Sequence, residues 1–201
     1  MNLVSLALDA LTDLPSALHP NEFAYLALTS KIKGPFRDRW AYVMHCRSGE
    51  GVIVAREWGP QPLRVDIAVL MDGDPRLLIE LKAWSAFDPS ETKGYVAKMQ
   101  ADEAKARGVA PHADILTVLL VNHPQCEIPA CLQGVVKNNL RNDRMIRRYT
   151  SSEGRDEAVA AVDRCFLERD SDVIKRGDLP VGCAFGVPVD ILYWAVKSRM
   201  P

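Results

Sequence analysis

The chain has 201 residues, which is enough for one domain with a substantial hydrophobic core. Hydrophobic residues make up 48% and charged residues 25% of the sequence, the usual proportions of a globular protein, so disordered and fibrous classes are excluded. The formal net charge of −1 excludes a globally basic protein that coats nucleic acid, and contact with a polyanion would require a local basic patch.

Cysteine usage and hydropathy indicate the cellular compartment. The five cysteines lack the paired spacing of a zinc site, and reduced thiols in a cytoplasmic protein are expected. The N-terminal segment carries Asp9 and Asp13 among its leucines and lacks a basic leader, so an amphipathic helix is expected rather than a secretory signal. No run of eighteen apolar residues occurs, and no membrane association is expected.

The first part of the chain is predicted to be helical. Apolar residues at helical spacing predict a helix over 3–14. A second helix is predicted from Glu22 to about Lys33, where Gly34-Pro35 would stop it. Strands are predicted at 42–46 and 52–58, on either side of a Gly-rich turn.

A β-hairpin is the clearest pattern in the sequence. Residues 64–70 and 77–82 have strand composition and flank the turn Asp72-Gly73-Asp74-Pro75. A helix over 90–107 and an apolar strand at 114–122 follow, the order of a parallel crossover. The predicted fold class is therefore α/β with a central mixed sheet flanked by helices.

The remainder is predicted to complete one domain over 1–201. It contains a basic segment at 137–148, a charged helix near 153–169 and an apolar segment at 181–196. We expect a core over about 20–123, preceded by the N-terminal helix and followed by a helical and apolar C-terminal extension. The apolar C-terminal segment is a candidate surface for a homodimer or a partner protein.

The hairpin is predicted to bring two carboxylates together. With Gly73 at the apex, paired residue numbers sum to 146, so Asp66 lies opposite Glu80, and Lys82 projects from the same face. Carboxylates about 5 Å apart repel unless they are protonated or neutralised by a cation. A divalent ion such as Mg²⁺ meets this need, and a nearby ammonium can orient or deprotonate one of its waters, an arrangement suited to phosphodiester hydrolysis.

A structural alternative is a salt-bridge ladder on a half-exposed face of the hairpin. Such a ladder would normally have polar residues on both sides, whereas Asp66 and Glu80 stand in strands of core composition. The apolar flanks therefore favour a functional site.

The stretch RVDIAVLMDGDPRLLIELKAW, residues 64–84, resembles the core motif of the PD-(D/E)XK nuclease superfamily. The resemblance extends over roughly 20–123, because a helix precedes the hairpin and a crossover helix leads into a buried strand. It implies a restriction-endonuclease-like three-layer fold. Val65 stands where the proline of the family's name would be, a permissive position.

The resemblance also implies roles for individual residues. Asp66 and Glu80 would hold Mg²⁺ or Mn²⁺ together with the backbone carbonyl of Leu81, and Lys82 would assist the attacking water. Glu22 is a candidate for an additional metal ligand, and Glu57 is its rival. The structural alternative for Glu22 is an acidic residue favoured in the first turn of a helix by the helix dipole.

Basic and amide side chains are candidates for contact with nucleic acid. Lys93, Lys98 and Gln100 lie on the predicted crossover helix, where relatives place residues near the scissile phosphate. A second set recurs at helical spacing in the basic segment, with only Asp143 as an acidic residue, and it is the best phosphate-binding candidate. This second set consists of Lys137, Arg141, Arg144 and Arg148.

The sequence thus predicts a metal-dependent nuclease that hydrolyses DNA in restriction, phage defence or repair, with RNA as an alternative substrate. A second hypothesis is a catalytically inactive member of the same fold that binds nucleic acid or serves in assembly. A third is an unrelated α/β protein that carries a salt-bridge ladder.

We expect the double variant Arg141→Glu, Arg144→Glu to bind DNA of every sequence more weakly and with a flatter salt dependence, because phosphate contacts release counterions. Fluorescence anisotropy at several salt concentrations measures both quantities. The charge-preserving variant Arg141→Lys, Arg144→Lys is the control and should keep the wild-type slope. An unchanged slope in the charge-reversed variant would place the DNA path elsewhere.

Overall fold

The computed structural model describes residues 2–60, 63–85, 91–132, 134–136, 150 and 152–198. Its helices are α1 (Leu3–Thr12), α2 (Glu22–Thr29), α3 (Lys33–Arg47), α4 (Thr92–Val109) and α5 (Ser152–Glu168). Its strands are β1 (Val52–Trp58), β2 (Val65–Met71), β3 (Asp74–Ser85), β4 (Asp114–Pro124), β5 (Asp172–Ala184) and β6 (Val187–Lys197).

The six strands form one mixed sheet in the order β1-β2-β3-β4-β6-β5. Strands β3 and β4 are parallel and are joined through α4, as the predicted crossover requires, and all other neighbours are antiparallel. The predicted α/β class with a mixed sheet is therefore confirmed.

Helices cover both faces of the sheet, which gives three layers. One face packs against α1, α2 and α3 through a large core that includes Ile67, Ile79 and Leu81. The other face packs against α4 and α5, where residues such as Ala68 and Leu78 are buried. Because β2, β3 and β4 are covered on both sides, the central stretches of their sequences are mostly apolar.

A β-bulge sets the register of the β2–β3 hairpin. The two-residue turn Asp72-Gly73 has positive φ at both residues (53° and 84°) and by itself pairs residues whose numbers sum to 145. A register shift after Val69 raises the sum to 146, the predicted value. Because a one-residue shift reverses the face of a side chain, the bulge sets Asp66 opposite Glu80 instead of Ile79.

The strand predicted at 42–46 is wrong, since these residues belong to α3. Gly34-Pro35 does not end a helix but lies in the first turn of α3, where a proline is tolerated because its missing N–H would have no helical partner. The preceding helix, α2, ends at Thr29.

The apolar C-terminal segment forms the end of β5 and most of β6, which extend the sheet beyond β4. Side chains such as Ile191 and Trp194 are buried in the protein's own core, and this burial accounts for their apolar character. Among the described residues, no helix is long and apolar enough to cross a membrane. All five cysteines are free thiols.

Candidate metal centre on the β2–β3 hairpin

Asp66 and Glu80 form a buried carboxyl pair on the face of the sheet that α4 covers. Only 7% of Asp66 and 3% of Glu80 is exposed, and the two carboxyl groups share a hydrogen bond. Oδ2 of Asp66 also accepts a hydrogen bond of 2.8 Å from the backbone N–H of Leu81. Strand β3 therefore holds Asp66 through both its backbone and Glu80.

The surroundings drive the pKa values of the pair apart. Burial raises the pKa of Asp66, but the hydrogen bond with Glu80, the charge of Lys33 and the N–H of Leu81 outweigh it, and the pKa lies below its ordinary value. Burial and the neighbouring Asp66 raise the pKa of Glu80 to about 8, against the opposing effect of Lys105. Near neutral pH the pair therefore holds one proton, on Glu80.

Two lysines contact the carboxyl pair from opposite helical layers. Nζ of Lys33, at the start of α3, lies 2.9 Å from Oδ2 of Asp66. Nζ of Lys105, on α4, forms an ion pair with Oε1 of Glu80. Each carboxyl group thus already faces one positive charge.

Lys82, the lysine of the motif, points towards α4. Its Nζ lies 2.5 Å from Oδ2 of Asp102, and both side chains are largely buried. Lys82 and Glu80 stand on the same face of β3, as predicted, but the charge partner of Lys82 is Asp102. The candidate centre consequently contains three acids and three lysines.

Sequence reasoning missed Lys33, Asp102 and Lys105. A signal for Asp102 existed in the helix periodicity of α4, whose buried stripe includes Met99 and Ala106. Asp102 stands on this stripe, three residues after Met99 and four before Ala106, where an apolar residue is expected. A charged residue at such a position needs a partner in the sheet below it.

The two candidates for an additional metal ligand bind arginines. Glu22 forms an ion pair of 2.9 Å with Arg39 on α3. Glu57 has a φ of 48° and is exposed, and it pairs with Arg37 and Arg64. The ion pairs of these two glutamates are with arginines and do not involve Asp66 or Glu80.

The candidates on the crossover helix face α5 or solvent. Lys93 pairs with Glu168 at 3.8 Å, and Gln100 accepts a hydrogen bond from Arg169. Lys98 lies 4.9 Å from the centre of the Tyr95 ring, a cation–π contact. The predicted basic set, Lys137, Arg141, Arg144 and Arg148, lies outside the described residues.

The donor atoms of the hairpin fit a small hard cation. Across the described ranges, no three side chains of His, Cys, Asp or Glu converge as a metal-binding group. The two carboxyl groups and the backbone carbonyl of Leu81 are nevertheless oxygen donors of the kind that Mg²⁺ binds while it keeps several waters. Oε1 of Glu80 is buried without an ordinary hydrogen bond, and the ammonium of Lys105 beside it marks a place where positive charge is favourable.

Comparison of the chain with protein-family models, with curated proteins and with solved structures gives no match.

We expect Glu80→Gln to stabilise the metal-free protein above neutral pH. Glu80 gains a proton on folding between its ordinary pKa of 4.5 and about 8, so wild-type stability decreases as pH rises through this window. Glutamine keeps the shape and cannot ionise, so the variant should be more stable near pH 9 by on the order of 2–4 kcal/mol.

Urea unfolding near pH 5, pH 7 and pH 9 measures this effect, with the exposed Glu50→Gln as the matched control. A salt-bridge ladder makes the opposite prediction, because removing one member of the Glu80–Lys105 pair would then destabilise the protein. A variant less stable than wild type near pH 9 would show that Glu80 is held as an ionised partner of Lys105.

Proposed function

We propose that this chain is a metal-dependent nuclease that hydrolyses DNA phosphodiester bonds, with RNA as an alternative substrate. The proposal includes the assignment of the three-layer α/β fold to the restriction-endonuclease-like class. Asp66, Glu80 and the carbonyl of Leu81 would hold Mg²⁺ or Mn²⁺, and Lys82 would act on the attacking water.

The observation that supports the proposal most is the buried contact between Asp66 and Glu80. Two carboxyl groups in a sheet of core composition reduce stability, and such an arrangement is commonly retained for function. A divalent ion relieves their repulsion without a proton. When bound, it would polarise a phosphoryl oxygen and lower the pKa of a coordinated water.

The chain's own residues would supply position and charge. The N–H of Leu81 fixes the orientation of Asp66, and the bulge fixes the register that sets Glu80 beside it. Helix α4 covers this face and limits the access of bulk water, which strengthens electrostatic interactions. The ammonium of Lys82, two residues from Glu80 on the same face, would act on a water bound there.

A second candidate function is that of a catalytically inactive member of the same fold that binds nucleic acid or serves in assembly. The three lysine–carboxylate pairs favour it, because the acids are neutralised by the protein itself. The third hypothesis is that the charged residues form a purely structural ion-pair cluster that binds no ligand. The cluster differs from the exposed ladder considered from the sequence, since Asp66 and Glu80 are buried.

Cleavage assays on linear, circular, single-stranded and branched DNA, with Mg²⁺, Mn²⁺ or a chelator, test the proposal. Cleavage of circular DNA would indicate an endonuclease, and cleavage of linear DNA alone an exonuclease. Asp66→Asn must lose the activity and the exposed Glu50→Gln must keep it, which excludes a contaminating nuclease. DNA binding without cleavage by the wild type would favour the second candidate.

We expect Lys82→Ala to remain folded and to bind metal, but to cut DNA at least about a hundredfold more slowly, the scale of losing a proton-transfer or electrostatic group. Single-turnover rates measure the change, and melting curves with and without Mn²⁺ check folding and metal binding. Wild-type rates in Lys82→Ala would remove Lys82 from the mechanism.

A further inference from the structure

Asp102 and Lys105 are one turn apart on α4 and bind different members of the motif. Lys105 pairs with Glu80, and Asp102 pairs with Lys82. Residues three apart on a helix are neighbours on its surface, so Lys105 and Asp102 are also within reach of each other. Asp102 therefore has two lysines within reach, Lys82 on β3 and Lys105 on its own helix.

The position of Lys105 conflicts with a metal ion on Glu80. The ammonium already lies against the carboxyl group that would hold a divalent ion, and two positive charges so close together repel strongly. Lys105 is also the partner with more room to change position, because its side chain is 28% exposed whereas that of Glu80 is 3% exposed. A partly buried ammonium that leaves one acid is stabilised by a second acid nearby, since an unpaired charge in such a place is costly.

Asp102 meets that need. Its Oδ2 is buried and accepts no hydrogen bond of ordinary geometry, although Lys82 is near. The neighbouring acid on α4, Glu103, faces Arg107. If Asp102 takes Lys105 as its partner, Lys82 loses its counter-ion and becomes available on the face it shares with Glu80.

We propose that Lys105 is the counter-ion that metal binding displaces from Glu80, and that Asp102 then exchanges Lys82 for Lys105 and releases Lys82 towards the reacting water. The inference rests on the proposed function and assigns two positioning residues to it. It explains why the lysine of the motif contacts Asp102.

Titration with Mn²⁺, followed by calorimetry, tests the first part. Lys105→Met removes the competing charge and should bind Mn²⁺ at least about tenfold more tightly than the wild type. Lys105→Arg keeps the charge and should bind like the wild type. Lys31→Met, at an exposed lysine before α3, is the matched control for loss of one positive charge and should also bind like the wild type.

The reactivity of Lys82 tests the exchange itself. An amine-specific acylating reagent, with mass spectrometry of the labelled peptides, should modify Lys82 several-fold faster in the wild type when Mg²⁺ is present. In Lys105→Met, Asp102 keeps Lys82, and Mg²⁺ should leave the labelling rate of Lys82 unchanged. Melting curves confirm that each variant is folded before labelling.

Two results would overturn the inference and leave the proposed function standing. One is Mn²⁺ affinity in Lys105→Met no higher than in Lys31→Met. The other is a labelling rate of Lys82 that Mg²⁺ does not change in a wild type that binds the ion. If neither the wild type nor Lys105→Met binds Mn²⁺, the proposed function fails, and the inference fails with it.

Discussion

The hydrogen-bonded contact between Asp66 and Glu80 determines which charged groups must surround the hairpin. Two carboxyl groups cannot both be ionised in a covered part of a sheet unless positive charge or a proton compensates them. The structure supplies a hydrogen bond, positive charges and a proton. The N–H of Leu81 and the ammonium of Lys33 stabilise Asp66 as an anion, whereas Glu80 retains a proton beside Lys105. The sheet, the bulge and α4 all serve to hold this arrangement.

Strand sequences contained most of the information about the hairpin. Strand composition and the turn predicted the two strands, and alternation predicted a common face for Asp66 and Glu80. The helix that follows the hairpin predicted the crossover to β4, and these features are present. The predicted register is confirmed, but the turn alone would not produce it. Pairs next to the turn have residue numbers that sum to 145, and the bulge shifts the sum to the predicted 146. At 42–46 local reasoning failed, since apolar residues in a short window fit a helix as well as a strand.

The partners of the carboxyl pair could not be predicted in the same way. Lys33 and Lys105 belong to helices in opposite layers, and their approach to the hairpin depends on how α3 and α4 pack, which no local pattern encodes. Asp102 stands among the buried positions of α4, and the sequence alone could have shown this. That observation indicates that Asp102 needs a partner, but it does not identify the partner. Lys93, Lys98 and Gln100 lie on the predicted helix, where they contact Glu168, Tyr95 and Arg169, and their contact with nucleic acid stays a prediction.

A closed, lysine-neutralised centre is compatible with metal binding on energetic grounds. A buried ion pair adds little net stability, because desolvation offsets most of its Coulomb energy. Replacing Lys105 on Glu80 by a divalent ion therefore gives up little, provided that the ammonium finds another acid, and Asp102 lies one turn away. The proton on Glu80 must also leave, so binding and deprotonation are linked. Under the proposed function, the same set of charges would be inert without metal and reactive with it, and displacement of Lys105 would distinguish a nuclease from a catalytically inactive member of the fold.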